Sequence, residues 1–173
     1  PGIEQRTPAW YAAREGLVTA SDFAQALGMG KFASQRDFFV KKVEMPPFTA
    51  GNAPALRWGV MFEPVAGELY SARSGGVRVH EFGLLRHPSV PHLGASPDGI
   101  SDAGVMLEIK CPFMRRINRE VPFQYYCQIQ GQLAVCGLRR CDYLECEFEE
   151  YADESEFARD SVGGGGGGGD DHN

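Results

Sequence analysis

Residues Gly94–Pro112 read G-A-S-P-D-G-I-S-D-A-G-V-M-L-E-I-K-C-P. Asp98 sits on a Pro-Asp-Gly corner, and ten residues later Glu108 and Lys110 flank Ile109 in a short apolar run. Strand alternation over Val105–Cys111 predicts Val105, Leu107, Ile109 and Cys111 on one face, with Met106, Glu108 and Lys110 on the other. Two ionisable groups on one strand face, beside a turn carrying a third, are costly to bury without a task. Two carboxylates with a neighbouring lysine are the parts that hold Mg²⁺ and poise a water against a phosphodiester. The plain alternative is a surface hairpin with a solvated Glu–Lys pair, worth little to stability. The apolar company of Met106, Leu107, Ile109 and Cys111 weighs against it, and the stretch is expected to be a metal-dependent nuclease centre.

Further residues bear on the same chemistry. Glu63, in Arg57–Pro64, falls in a helical pattern set against the core, and a third carboxylate would complete an oxygen shell. A plain first-turn acid suiting the helix dipole is its alternative. Gln124 and Gln128 lie one turn apart and share a helix face, where amides orient a water or a phosphate or simply meet solvent. Cys136, Cys141 and Cys146 recur at five-residue steps, a spacing better suited to small buried hydrophobes than to a metal cluster. His80, His87 and His92 lack ligand spacing. Arg115, Arg116, Arg119, Arg139 and Arg140 are candidates for a DNA groove, with solvated charge as the alternative.

Elements must position these groups. Thr7-Pro8-Ala9-Trp10 reads as a helix start, ended by Gly16. Ser21-Asp22 caps a second helix to about Leu27. Ser34–Val43 reads as a third, with Phe38, Phe39 and Val43 inward and Lys41 and Lys42 outward; Met45–Pro54 is a loop. Ala55–Ser74 is the longest helical pattern, with Leu56, Val60, Val65, Leu69 and Tyr70 on the buried side and a kink or break expected at Pro64. Val77–Phe82, Leu84–Arg86 and His92–Ser96 read as strands, the last pairing with Val105–Cys111 in an antiparallel hairpin. Phe123–Cys136 reads as a helix with Tyr126, Ile129 and Leu133 on one stripe, and Asp142–Glu149 as a final strand. The order predicts an α/β (α+β) chain with a central mixed β-sheet flanked by helices. Residues 1–150 form one domain, and 151–173 an acidic, glycine-rich flexible tail or linker.

The net charge of −6 divides unevenly: −1 over residues 1–150 and −5 over the remainder. A near-neutral folded part requires any DNA binding to come from a local basic groove. No apolar run approaches the ~20 residues of a membrane span, and no charged-then-apolar leader precedes a cleavage site. The chain begins at Pro1 rather than Met, which implies processing or trimming. Five cysteines without disulfide-framework spacing fit a reducing intracellular setting, the cytoplasm or nucleus of a host cell, with no secretion and no membrane.

Trp58-Gly59…Glu63, Ser96-Pro97-Asp98-Gly99, Leu107-Glu108-Ile109-Lys110-Cys111-Pro112-Phe113 and Gln128-Ile129-Gln130 follow the order seen in YqaJ-type viral recombinases. That is the phage lambda exonuclease branch of the PD-(D/E)XK nucleases, which the chain resembles from about Arg6 to Glu149. Trp10…Arg14-Glu15-Gly16-Leu17-Val18-Thr19-Ala20-Ser21 resembles the family's N-terminal helix and turn. The resemblance implies a restriction-endonuclease-like core and Mg²⁺-dependent 5′→3′ digestion of linear double-stranded DNA from free ends, with Mn²⁺ as a substitute metal. It implies that Asp98, Glu108 and Glu63 hold metal, that Lys110 activates or positions the water, and that Gln128 supports it. Arg14, Ser21 and Ser96 match the family's pocket for a terminal 5′-phosphate. For Ser21, a helix N-cap remains an equal reading. A single-strand-annealing protein and a homo-oligomeric ring trimer are the implied partners. The short acidic and glycine-rich end departs from family members that continue with more helix, which bears on ring assembly. An endonuclease or end-processing nuclease of the same fold, or a non-catalytic DNA-end-binding subunit, are the alternative functions.

Overall fold

The computed structural model describes residues 3–30, 34–44 and 53–163. Most of the expected Met45–Pro54 loop and the glycine run from residue 164 onward lie outside the described residues. Helix α1 (Pro8–Arg14) starts as its sequence dictates: Pro8 occupies the first position, and the Thr7 hydroxyl accepts from the Trp10 amide at 3.2 Å. Strand β1 (Val18–Thr19) leads through a single 3-10 turn, Ala20–Asp22, into helix α2 (Phe23–Ala26). Ser21 does not cap this segment. Asp22 Oδ2 accepts from both the amide and the hydroxyl of Thr19 at 2.9 Å, so Thr19 opens the turn and the Ser21 hydroxyl is left for other partners.

Helix α3 (Gln35–Glu44) buries Phe38, but Phe39 and Val43 face solvent, contrary to the expected inward set. Lys42 instead turns inward, donating to the Leu17 carbonyl at 2.7 Å and pairing with Asp22 at 2.9 Å. The nearby turn offers oxygen acceptors, which an ammonium satisfies and a second aromatic would not. Helix α4 (Pro54–Arg73) runs through Pro64 without the break that a proline there leads one to expect. The lost hydrogen bond at Pro64 is outweighed by packing along the helix: Trp58, Phe62, Leu69 and Tyr70 pack on a buried cluster of Ala66, Leu107, Ile109, Cys111 and Cys146. These aromatics set the buried face, and Leu56, Val60 and Val65 are therefore exposed rather than buried.

The strands are shorter than their sequence patterns. They are β2 (Val79–His80), β3 (Leu85–Arg86), β4 (Leu93–Ala95), β5 (Gly99–Ser101), β6 (Met106–Lys110) and β7 (Cys141–Glu145), with helix α5 (Phe123–Cys136) between the last two. Among the described residues they form two mixed sheets, ordered β1-β4-β3 and β2-β5-β6-β7. The expected hairpin between His92–Ser96 and Val105–Cys111 does not form. Strand β4 pairs with β1 in parallel and with β3 in antiparallel fashion, while β6 takes β5 as its antiparallel neighbour and β7 as its parallel one. The reason is Ser96-Pro97-Asp98, which carries the chain from one sheet to the other. Gly99 follows because nothing larger fits: a Cβ there would stand 2.2 Å from Val79 Cγ1.

Strand β6 lies between two helices. Leu107 and Ile109 pack toward α4, and Met106 and Glu108 face the other way, as alternation requires. Helix α5 covers that second face. Its buried set is Cys127, Ile129, Gly131, Gln132 and Val135, whereas Tyr126, read on one stripe with Ile129 and Leu133, is exposed. Gly131 permits close approach to α2, since a Cβ would come within 2.7 Å of the Phe23 ring. The chain beyond β7 is not structureless up to residue 163: Glu154–Gly163 forms helix α6, whose first turn is closed by Asp153 Oδ1 accepting from the Glu156 amide at 2.9 Å. The fold is α+β, with mixed sheets flanked by helices. No helix among the described residues is long and apolar enough to cross a membrane.

Candidate active site

Asp98 reaches the site from the crossing between β4 and β5, and its Oδ2 accepts from the Ile109 amide at 2.7 Å. That bond ties the Pro-Asp-Gly corner to the strand bearing Glu108 and Lys110. Glu108 is completely buried. Gln128 Nε2 donates to its Oε1 at 2.6 Å and Gln132 Nε2 to its Oε2 at 2.7 Å, while the Lys110 ammonium also binds Oε1. The Lys110 ammonium lies 5.1 Å from the centre of the Tyr125 ring, a cation–π contact. Glu108, Lys110, Gln128 and Gln132 thus form one connected polar network between β6 and α5.

The electrostatics follow from burial and like charge. Burial first, and then the nearby Glu108 and Glu63 carboxylates, push the Asp98 carboxyl up to about 8, against the opposing effects of Lys110 and the Ile109 amide. Burial alone would lower the Lys110 pKa, but Glu108 and Asp98 outweigh it and hold the ammonium above its ordinary value. The neighbouring carboxylates thus favour the charged ammonium of Lys110.

Glu63, from α4, lines a cleft of about 770 Å³ together with Asp98, Leu107 and Ile109. Its Oε2 is engaged by Arg6 Nη2 at 2.5 Å. A second cavity of about 180 Å³ adjoins through Gln5 and Arg6, and it gathers Arg14, Thr19, Ser21, Ser96, Gln128 and Gln132. There Arg14 Nη2 donates to Thr19 Oγ1 at 3.1 Å and to Ser21 Oγ at 3.4 Å, and the guanidinium lies 4.1 Å over the Trp10 ring. Trp10 Nε1 donates to Ser96 Oγ at 3.0 Å. Burial lowers the Arg14 pKa, partly countered by Asp22, yet a guanidinium stays charged.

The structure thus brings Arg14, Ser21 and Ser96 around one cavity, and Asp98, Glu108, Lys110 and Gln128 around one strand. Glu63 shares the large cleft with Asp98 but is turned to Arg6. Among the described residues, no three His, Cys, Asp or Glu are gathered as a ready cation shell. The donor chemistry nevertheless suits a hard divalent cation. Mg²⁺ is held by one or two carboxylates and waters rather than by an all-protein cage, and the mutual repulsion of Asp98 and Glu108 is what a cation relieves. The amides that reach Glu108 are those of Gln128 and Gln132.

Other candidates fall away. Cys111, Cys127, Cys136, Cys141 and Cys146 are all free. Burial pushes the Cys111 and Cys136 thiols up to about 11 and Cys141 up to about 12, and among the described residues no cysteines gather into a metal-ligating cluster. His80 pairs with Asp102 at 2.5 Å, and His87 Nδ1 accepts from the Ser89 and Val90 amides at 3.1 Å. Arg115 is bound to Glu145. The sequence reading missed Arg6, Thr19 and Gln132. Gln132 was signalled by its i+4 spacing from Gln128; Thr19 and Arg6 carried no local signal, because both gain their partners through the fold.

Residues 9–139 match the family described as the YqaJ-like viral recombinase domain. Protein R354 of Acanthamoeba polyphaga mimivirus is 30% identical over 180 residues, covering 93% of this chain and 32% of the relative. The chain spans between about a third and a half of the length of the curated relatives it first matches. Among solved structures, an alkaline exonuclease (LHK-Exo) from Laribacter hongkongensis superposes with a TM-score of 0.71 at 30% identity, over 90% of this chain and 88% of that one. LHK-Exo in complex with dAMP gives the same TM-score at 28% identity and the same coverage of both chains.

Proposed function

The chain belongs to the YqaJ-like viral recombinase domain family, and from that premise we propose that it is a metal-dependent exonuclease that digests one strand of linear double-stranded DNA from its 5′ end. One observation carries the reading: a small cavity bearing Arg14, Ser21 and Ser96 adjoins the cleft that holds Asp98 and Glu63. A terminal phosphate would lie in the first, and the next phosphodiester would then face the second. The similarity to an alkaline exonuclease, solved also with a mononucleotide, supports the same reading.

Asp98 and Glu108, with Glu63 in support, would hold Mg²⁺, and Mn²⁺ would substitute. The bound ion supplies polarisation of the scissile phosphate and a water of lowered pKa. The residues do the rest. Lys110 places a fixed positive charge where negative charge develops on the phosphate. Gln128 and Gln132 lock the Glu108 carboxylate, so that its oxygens do not reorganise during reaction. Arg14 forks onto the terminal phosphate while Ser21 and Ser96 donate the remaining hydrogen bonds, which fixes the scissile bond by distance from the end. In this reading the protein works inside the cell on DNA with free ends. A single-strand-annealing protein takes up the strand left behind, and three copies assemble as a ring.

The test uses linear duplex with 5′-phosphate or 5′-hydroxyl ends, with Mg²⁺ or chelator, and covalently closed circles and Lys110→Ala as controls. The reading expects Mg²⁺-dependent loss of one strand from phosphorylated ends and none with the variant. Cut circles would make the protein an endonuclease. DNA bound without cleavage under any divalent metal would make it an end-binding subunit.

A further inference from the structure

Arg6 is the one charged side chain, among the described residues, that lines both the large cleft and the small cavity. It lies before residue 9, where the family match begins. Its Nη2 binds Glu63 Oε2 at 2.5 Å, yet the pair is open to solvent, with 41% of the Arg6 side chain and 25% of the Glu63 side chain exposed. The backbone that presents it is fixed from beneath. Gln5 Nε2 donates to the carbonyls of Phe82 at 2.8 Å and of Pro97 at 3.1 Å, the latter immediately before Asp98. Arg6 itself holds φ at 65°, a left-handed conformation that side-chain-bearing residues rarely adopt. A pinned neighbour and an unusual backbone aim this guanidinium between the two cavities, while its partner remains exchangeable.

Charge balance says what it exchanges for. The cleft is acidic: Glu4, Glu63, Glu68, Glu81 and Asp98 line it, and Arg6 is the one cation among its lining residues. A divalent cation held by Glu63 and Asp98 would supply there the positive charge that Arg6 supplies in its absence. Glu63 then no longer needs Arg6, and the freed guanidinium can meet the single negative charge of a phosphodiester. Resting on the nuclease reading above, we infer that Arg6 is an exchangeable counter-ion: it holds Glu63 in the absence of metal and is released to a DNA phosphate when a divalent cation arrives. Metal binding and DNA binding are thereby coupled through one side chain, and an arginine fork suits both partners because carboxylate and phosphate present similar pairs of oxygens.

Two measurements on the full chain test this. In calorimetric titration with Mn²⁺ and no DNA, Arg6→Ala removes a competitor for Glu63 and binds the ion about three- to tenfold more tightly than wild type. In fluorescence anisotropy with a 5′-phosphorylated duplex, Arg6→Ala binds about tenfold more weakly than wild type with Ca²⁺ present, and equally well in chelator. Glu63→Gln frees Arg6 without metal, so it binds DNA more tightly than wild type in chelator. Adding Arg6→Ala to it abolishes that gain. Arg6→Lys keeps a charge but not a fork and falls between wild type and Arg6→Ala, which guards against a folding defect in the alanine variant. Equal weakening of Arg6→Ala with Ca²⁺ and in chelator would make Arg6 a permanent phosphate ligand and overturn the exchange. Unchanged Mn²⁺ and DNA affinities would remove Arg6 from the site. Wild-type digestion of linear DNA, run alongside, separates the two levels: digestion with an indifferent Arg6→Ala sinks only this inference, and loss of both digestion and binding sinks the nuclease reading with it.

Discussion

Asp98 is held by burial and by two neighbouring carboxylates in its protonated form to about pH 8. Folded Asp98 keeps its proton while the unfolded chain releases it near the ordinary carboxylate value of ~3.9. The metal-free protein therefore loses stability as pH rises from about 4 towards 8, and is flat beyond. A divalent cation must displace the same proton, so Mg²⁺ affinity should rise by about tenfold per pH unit up to about 8 and then level off. Calorimetry at pH 6, 7, 8 and 9, in buffers of different ionisation enthalpy, reads both the affinity and the released proton. Constant affinity with no proton release would place the raised acid elsewhere. Gln132 offers a second residue-level test. Gln132→Leu removes one of the two amides on a carboxylate with no access to water, and should cost about 1–3 kcal/mol in urea unfolding. The amide oxygen of Gln132 is buried without a partner among the described residues, so its removal costs no hydrogen bond.

Helices α4 and α5 grip β6 from opposite faces, and their tolerance for change differs. Helix α5 meets α2 through Gly131, where an added methyl would collide with the Phe23 ring. Gly131→Ala should destabilise by about 1–3 kcal/mol, and Phe23→Leu in the same chain should recover part of that loss. Chemical denaturation of the two single variants and the double measures the coupling; simple additivity would mean the helices separate freely. Elements of this kind were legible in sequence where one residue type decides: Thr7 and Pro8 fixed the start of α1, and the run Met106–Lys110 announced a strand whose two faces differ. They were less legible where distant chain decides. Nothing near His92–Ser96 reveals that it pairs with Val18–Thr19 rather than with its neighbour in sequence, and Pro64 looked like a break because the aromatic packing that carries α4 past it belongs to another element. Asp98, Glu108 and Lys110 stand out in the sequence as polar groups in apolar company, and Gln128 by its one-turn spacing from Gln124. Arg6 and Thr19 look ordinary until the fold supplies Glu63 and Arg14.

At the scale of the whole molecule, the charge balance limits how DNA is held. Residues 1–150 carry a net charge of −1, and Arg6, Lys42, Lys110 and Arg115 are each engaged by a carboxylate. With a near-neutral folded part, recognition should rest on a few phosphates at the end of the duplex. The logarithm of DNA affinity against the logarithm of salt concentration should then have a slope of about −2 to −4, corresponding to roughly two to four neutralised phosphates. Anisotropy between 50 and 300 mM KCl, in Ca²⁺, gives the slope; a value near −8 would require a large basic track.

The placement of α5 has one more consequence, and it concerns birth rather than catalysis. Glu63, Asp98, Glu108 and Lys110 all precede Phe123, but the amides that satisfy Glu108 lie on α5, and the parallel neighbour of β6 comes later still, at Cys141–Glu145. A nascent chain halted before residue 123 carries every acid of the cleft but lacks the two amides that hold Glu108. If the chain is the nuclease proposed above, it should become competent only once translation has delivered the segment that closes over the strand.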